Sequence, residues 1–142
     1  MNRYPRIAVF LATYNGEKFL NEQIDSILSQ KNVAVDIYCN DDGSTDSTIE
    51  VLNNYQKNND NFFLLDTIKN SGSAGRNFYS LIMSHQESYD FYAFSDQDDV
   101  WLDNKLETAY KKIIANYSDG YSANHIAFWN QRKLKIYKDI KQ

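Results

Sequence analysis

An α/β fold, a mostly parallel sheet with helices on both faces, is what this 142-residue sequence predicts, on three observations. A continuous apolar run, Ile7-Ala-Val-Phe-Leu-Ala12, has the branched composition of a strand covered on both faces. Further short apolar runs alternate with segments of helical periodicity, the signature of right-handed crossover units. Three of the runs end in polar, mostly acidic residues, as strands do where an open sheet binds its ligand.

The elements follow in order. Thr13-Tyr-Asn-Gly16 breaks the first strand. From Glu17 to Gln30, Phe19, Leu20, Ile24, Ile27 and Leu28 form one apolar stripe, so this segment is an amphipathic helix. Val33 to Tyr38 is the second strand, and Asn40-Asp-Asp-Gly-Ser-Thr-Asp46 is a turn carrying N-cap residue types. Ile49, Val51, Leu52 and Tyr55 mark the second helix, and Phe62 to Leu65 the third strand. A loop, Asn70-Ser-Gly-Ser-Ala-Gly75, leads into a helix from about Arg76 to Ser88. Phe91-Tyr-Ala-Phe94 is the fourth strand, closed by Asp96-Gln-Asp-Asp99, and a last helix starts near Trp101 to Asp103. In the common 3-2-1-4 order the first and fourth strands lie side by side at the topological switch point. Thr13 to Asn15 then sit beside Asp96 to Asp99, with Asp41 and Asp42 next to them.

Length and composition bound the function. The chain is one domain's worth, and 42% hydrophobic residues with 11 Tyr and 8 Phe exclude disorder for most of it. A net charge of −4 argues against a nucleic-acid binder, which needs clustered Lys and Arg. A single cysteine, Cys39, permits no intramolecular disulfide and points to the cytoplasm. Ile7 to Ala12 is too short for a signal-peptide core and far below the roughly 20 residues that span a bilayer. No repeat or linker divides the chain.

Three or more carboxylates gathered at one crevice repel one another, a cost met by a hard cation such as Mg2+ or Mn2+ that keeps positions open for phosphate oxygens. Two structural alternatives stand beside that reading. Asp96 to Asp99 also suits the approach to a helix, and Asp41 to Asp46 suits any strand-turn-helix junction. Gly72 and Gly75 ahead of Arg76 could lay amides or a guanidinium on phosphate, without the Lys and Ser/Thr spacing of a P-loop. No Gly-x-Gly-x-x-Gly follows the first strand, which disfavours a dinucleotide dehydrogenase. A phospho-receiver domain needs acids ending the first strand, where this chain has Thr-Tyr-Asn. His85 and His125 have no partner spacing and receive no role.

IAVFLATYNGEKFLNEQIDSILSQ, NDDGSTDST, NSGSAGRNF and FSDQDDVWLDNKLE, in this order and each at a strand end, together resemble glycosyltransferase family 2 over about residues 5–112. The resemblance implies the Rossmann-like GT-A fold, with residues 1–112 as a nucleotide-sugar-binding domain and 113–142 as a divergent segment rather than a second domain. It implies that Thr13, Tyr14, Asn15 and Glu17 line the nucleotide pocket and that Asp42, more than Asp41, accepts a hydrogen bond from the pyrimidine ring. Asp96-Gln-Asp98 is similar to the family's Asp-x-Asp motif: Asp96 near the ribose, Asp98 as ligand of a divalent metal on the diphosphate, Asp99 in support. Arg76 matches a basic residue near the diphosphate, where a guanidinium pairs bidentately.

The implied reaction transfers a sugar from a nucleotide donor, dTDP-rhamnose or a UDP-hexose, to a hydroxyl of a saccharide or lipid-linked acceptor with inversion, in bacterial surface-polysaccharide synthesis. The general base belongs further along family members, so no catalytic base is expected in this chain, and a non-catalytic nucleotide-binding remnant is the alternative. Asp119 and Asp139 have no supporting motif. The tail from Gln131 to Gln142 carries five basic residues against one acidic, and reads as a solvated terminus with a weak contact to anionic lipid at the inner membrane face as the alternative.

Overall fold

Residues 3–85, 87–123, 125–129 and 132–137 are described by a computed structural model of the chain. Four parallel strands form one sheet: β1 (Arg6–Thr13), β2 (Ala34–Asp41), β3 (Phe62–Leu65) and β4 (Phe91–Ser95). Their spatial order is β3-β2-β1-β4, the order expected from the sequence. The connections are α1 (Leu20–Leu28), α2 (Thr48–Asn58) and α3 (Ala74–Ser84), and α4 (Lys105–Asn116) follows β4. An antiparallel hairpin, β5 (His125–Trp129) with β6 (Arg132–Tyr137), completes the described elements. Residues 132–137, expected as part of a solvated tail, are therefore a strand. Asp139 and the rest of that tail lie outside the described residues.

Alternation along β1 builds both sides of the core. Ile7, Val9 and Leu11 point to one face with Leu20, Ile24 and Ile27 of α1, Leu52 of α2, and Trp101 and Leu106 near α4. Ala8 and Phe10 point to the other with Tyr38, Leu81 of α3 and Tyr89. Each fully buried branched side chain contributes roughly 1.5–3 kcal/mol, so the strand order rests on β1, whose two neighbours are β2 and β4. β4 lies at the edge of the described sheet and keeps Tyr92 and Phe94 half exposed.

Several boundaries differ from the sequence reading. β2 runs on through Asn40 and Asp41, paired with Ala12 and Thr13, although both residues read as turn formers. Asn40 is buried and satisfied: its side-chain amide donates to the Ile68 carbonyl at 2.9 Å and to Asn77 Oδ1 at 3.0 Å, and its Oδ1 accepts from Thr67 N at 2.9 Å. α4 starts at Lys105 rather than near Trp101, so Asp96 to Asp99 lie well outside its first turn, where the helix dipole acts. The acidic run is not a helix-start signal. Tyr117, in the left-handed conformation at φ 51°, ends α4.

Candidate functional site

A cavity of about 550 Å³ opens at the carboxyl ends of β1, β2 and β4, walled by Thr13, Tyr14, Asp42, Asp96, Gln97 and Asp98, and floored by Ser73 and Ala74 at the start of α3. The topology makes this convergence: β2, β1 and β4 are successive parallel neighbours in the sheet, so the loops that follow them emerge side by side at its carboxyl edge. Ser73 caps α3, its hydroxyl oxygen accepting from Arg76 N at 3.4 Å. The amino terminus of that helix therefore faces the cavity, with the partial positive charge that favours an anion.

The two acids that end β2 are used internally. Asp41 is buried; one carboxylate oxygen accepts from the Thr13 hydroxyl at 3.1 Å and the Ser44 hydroxyl at 2.5 Å. The other accepts from the amides of Gly43 at 3.0 Å and Ser44 at 2.7 Å. Asp42 faces the cavity but takes the Ser71 amide at 2.7 Å, the Ser71 hydroxyl at 2.9 Å and the Gly72 amide at 3.1 Å. Burial pushes its carboxyl up, and these hydrogen bonds outweigh it, so its pKa lies below the ordinary value. The expected gathering of three or more carboxylates around one cation needs correction here. Among the described residues no group of three His, Cys, Asp or Glu is placed to hold a metal; the Asp41 carboxylate is taken up by its own loop and by Thr13, and that of Asp42 by the loop before α3.

The acids after β4 are different. Asp96, Asp98 and Asp99 are exposed, and the Asp96 carboxyl is raised by burial and then by the charges of Asp99 and Asp98. Their loop is rigidly backed. Gln23 of α1 donates to the Ser95 hydroxyl, which donates to the Asp96 carbonyl at 2.9 Å. Trp101 N donates to the Ser26 hydroxyl at 3.0 Å, and Gln30 bonds the Leu102 carbonyl at 2.7 Å and the Leu106 amide at 2.9 Å. Asp98 faces the cavity, whereas Asp99 lines a second groove of about 870 Å³ between β4 and α4, and Asp96 borders both. Hard oxygen donors of this kind suit Mg2+ or Mn2+ with most positions left to water or phosphate. A cation held by one or two of these carboxylates fits; a cage made only of protein does not.

Comparison with known proteins assigns the chain. The family model for glycosyl transferase family 2 matches residues 8–137. The chain belongs to this family. It is 40% identical over 121 residues to the dTDP-rhamnosyl transferase RfbG of Shigella flexneri, covering 84% of this chain and 42% of that one. It is 32% identical over 116 residues to the poly(ribitol-phosphate) beta-glucosyltransferase of Bacillus spizizenii, across 80% of this chain and 18% of that one. Among solved structures, S. aureus TarS 1-349 in complex with UDP superposes with a TM-score of 0.68 at 26% identity, over 80% of this chain and 33% of that one. The chain thus spans well under half the length of these family 2 relatives. The fold is the GT-A glycosyltransferase fold, of which this chain carries a part.

In this member of family 2, the structure sorts the residues expected from sequence. Thr13, Tyr14, Asp42, Asp96 and Asp98 reach the cavity. Asn15, left-handed at φ 47°, instead accepts from Thr45 N at 2.8 Å, and Glu17 accepts from Ser47 N at 2.7 Å, so both fasten the β2–α2 loop to the β1–α1 loop. Arg76 is exposed, its guanidinium 3.5 Å from the Ser71 carbonyl. Three contributors were missed by sequence reasoning. Asn77 is buried and locks α3 to β2, its side-chain amide donating to the Asn40 carbonyl at 3.0 Å. Asn70, at φ 55°, shapes the Asp42 loop, and its amide donates to the Asp42 carbonyl at 3.0 Å. Gln97 lies between the two aspartates of the acidic turn and joins it to the loop after β1. Asn70 and Asn77 flank the glycine loop, and polar residues held at such a fixed strand-end motif were the available signal.

No helix among the described residues is long and apolar enough to cross a membrane.

Proposed function

We propose that this chain is the nucleotide-sugar-binding part of an inverting glycosyltransferase in bacterial surface-polysaccharide synthesis, with a pyrimidine nucleotide donor such as dTDP-rhamnose or a UDP-hexose. The observation that carries this is the cavity in which the acids after β4 face the amino terminus of α3 across Tyr14 and Asp42. A nucleoside diphosphate needs that pairing: a flat wall for base and ribose, donors for phosphate oxygens, and carboxylates for a counter-cation. The rhamnosyltransferase relative and the UDP complex of TarS support the donor class.

In this reading Thr13 and Tyr14 form the wall for the base, and Asn15 and Glu17 hold that wall's loop in shape. Asp42 has lone pairs left after its three protein donors and accepts from the pyrimidine ring. Asp96 meets the ribose, and Asp98, supported by Asp96 and Asp99, holds the divalent cation. Arg76 swings from the Ser71 carbonyl to the diphosphate. The bound Mg2+ or Mn2+ supplies charge stabilisation for the departing diphosphate. The acceptor is a saccharide or lipid-linked hydroxyl, and its proton goes to a general base that no residue described here is assigned to be.

Thermal-shift titration with UDP, dTDP and GDP, each with and without Mn2+, tests the proposal. At about 100 times the dissociation constant a ligand stabilises by roughly 2.7 kcal/mol, several degrees for a domain of this size. The expected result is a Mn2+-dependent shift with a pyrimidine diphosphate that Asp98→Ala abolishes while the apo melting point stays put. A cooperative melt that no nucleotide moves refutes the proposal, and binding without sugar transfer favours the non-catalytic reading.

A further inference from the structure

We propose that Gln97, the middle residue of the acidic turn, is a positioning residue that sets the width of the nucleotide cavity by clamping the peptide of Tyr14. Its side-chain amide lies along the Tyr14 backbone as a partner strand would. The Tyr14 amide donates to Gln97 Oε1 at 2.8 Å, and Gln97 Nε2 donates to the Tyr14 carbonyl at 2.9 Å. One side chain thus satisfies both backbone polar groups of a residue lying beyond the last β1–β4 ladder pair, Leu11 with Ser95. Without it, the loop carrying Tyr14 and the turn carrying Asp96 and Asp98 are joined by no other side-chain hydrogen bond among the described residues.

Gly16 supplies a second observation. A Cβ built there would overlap Gln97 Oε1 and lie 2.7 Å from its Cδ. Gly16 has an ordinary backbone conformation, since only Gly43 and Gly72 among the glycines have positive φ, so what excludes a side chain at position 16 is the clamp. Asn15 on the far side is fixed by Ser44 and Thr45. The loop is therefore held from both flanks, and Gln97 decides how closely its pocket side approaches the acids. Amide chemistry suits this position. A glutamate would keep the acceptor, lose the donor and add a fourth charge beside three carboxylates; a methionine would fill the space and bond neither group.

This inference rests on the nucleotide reading above, and the experiment separates the two. In the full chain, UDP and dTDP dissociation constants with Mn2+ are measured by calorimetry for wild type, Gln97→Met, Gln97→Ala, Gly16→Ala and the Gly16→Ala/Gln97→Ala double variant, beside hydrogen exchange at the Tyr14 amide. The expected result is about tenfold weaker nucleotide binding in Gln97→Met with an unchanged melting point, faster exchange at Tyr14, and a similar loss in Gly16→Ala. The double variant should be no worse than either single one, because the Cβ then has nothing to strike. Wild-type binding that Gln97→Met leaves intact, or additive losses in the double variant, overturns the clamp and spares the nucleotide reading. Failure of wild type to bind any nucleotide overturns both.

Discussion

Two acidic turns close the same edge of the sheet, and they use their charge in opposite ways. Asp41 and Asp42 at the end of β2 are buried and accept hydrogen bonds from Thr13, Gly43 and Ser44, and from Ser71 and Gly72. Asp96, Asp98 and Asp99 after β4 are exposed, and the pKa of Asp96 is raised by its surroundings where that of Asp42 is lowered. The β2 turn is a fastener that shapes the cavity; the β4 turn is a charged surface held in place from behind by Gln23, Ser26 and Gln30. Acidic residues at a strand end thus carry no single meaning. What separates them is whether amide donors from a neighbouring loop reach them first.

The contrast breaks most visibly at Asp41. Asp41→Ala strips the acceptors from two amides and two hydroxyls at a buried corner, which costs about 3 kcal/mol. The melting point should fall by roughly 10 °C for a domain of this size. Asp98→Ala, at an exposed position, should leave it within about a degree. Calorimetric melts of both variants without ligand check this; an Asp41→Ala protein as stable as Asp98→Ala would erase the distinction between the turns.

A smaller effect distinguishes the turns by pH. Asp42 has a folded pKa below its unfolded value, so its stabilisation is fully present above the ordinary carboxylate value of about 3.9 and is lost as pH falls through the lower folded value. Asp42→Asn keeps one oxygen acceptor but loses the charge-assisted bonds, at about 1 kcal/mol. Urea midpoints of the two proteins should stay a constant distance apart above about pH 5 and converge on further acidification. A gap that persists unchanged into acid would mean that the Ser71 and Gly72 donors gain nothing from the charge.

Much of this was legible in the sequence. Strand order, the crossover units, the β1–β4 crevice and the acidic turn beside it follow from Ile7–Ala12, the later apolar runs and the residues that end them. The rest was hidden where a polar residue is buried. Asn40 and Asp41 read as turn formers and are the end of a strand, since their bonding partners arrive from Asn77 and Thr13 far along the chain. The stripe of α1 predicted an apolar face, while Gln23 and Ser26 on the same helix and Gln30 just beyond its end bury their polar ends against the β4 loop. Periodicity registers which side of a helix is inside; it is silent on hydrogen bonds made across the fold. Glu17 and Asn15 carried the right motif, yet both side chains hold a loop and leave the cavity wall to Thr13 and Tyr14.

The smallest expected effect has the opposite sign to those at β2. Asp96 binds its proton more tightly folded than unfolded, because burial and the neighbouring Asp99 and Asp98 oppose its charge. Stability therefore declines as pH rises from the ordinary carboxylate value through the raised one, and at neutral pH the charged side chain is a net cost. Asp96→Asn removes that cost and should raise the apo melting point slightly at pH 7, by about a degree given how exposed the turn is. The gain should vanish below about pH 4, where wild type is protonated too, and shrink in high salt. The same substitution takes a carboxylate from the cavity, so with Mn2+ and a pyrimidine diphosphate present the order reverses and wild type melts higher. An apo Asp96→Asn protein less stable than wild type at neutral pH would mean that the acids after β4 support the fold, as those after β2 do, and are not held against it for a ligand.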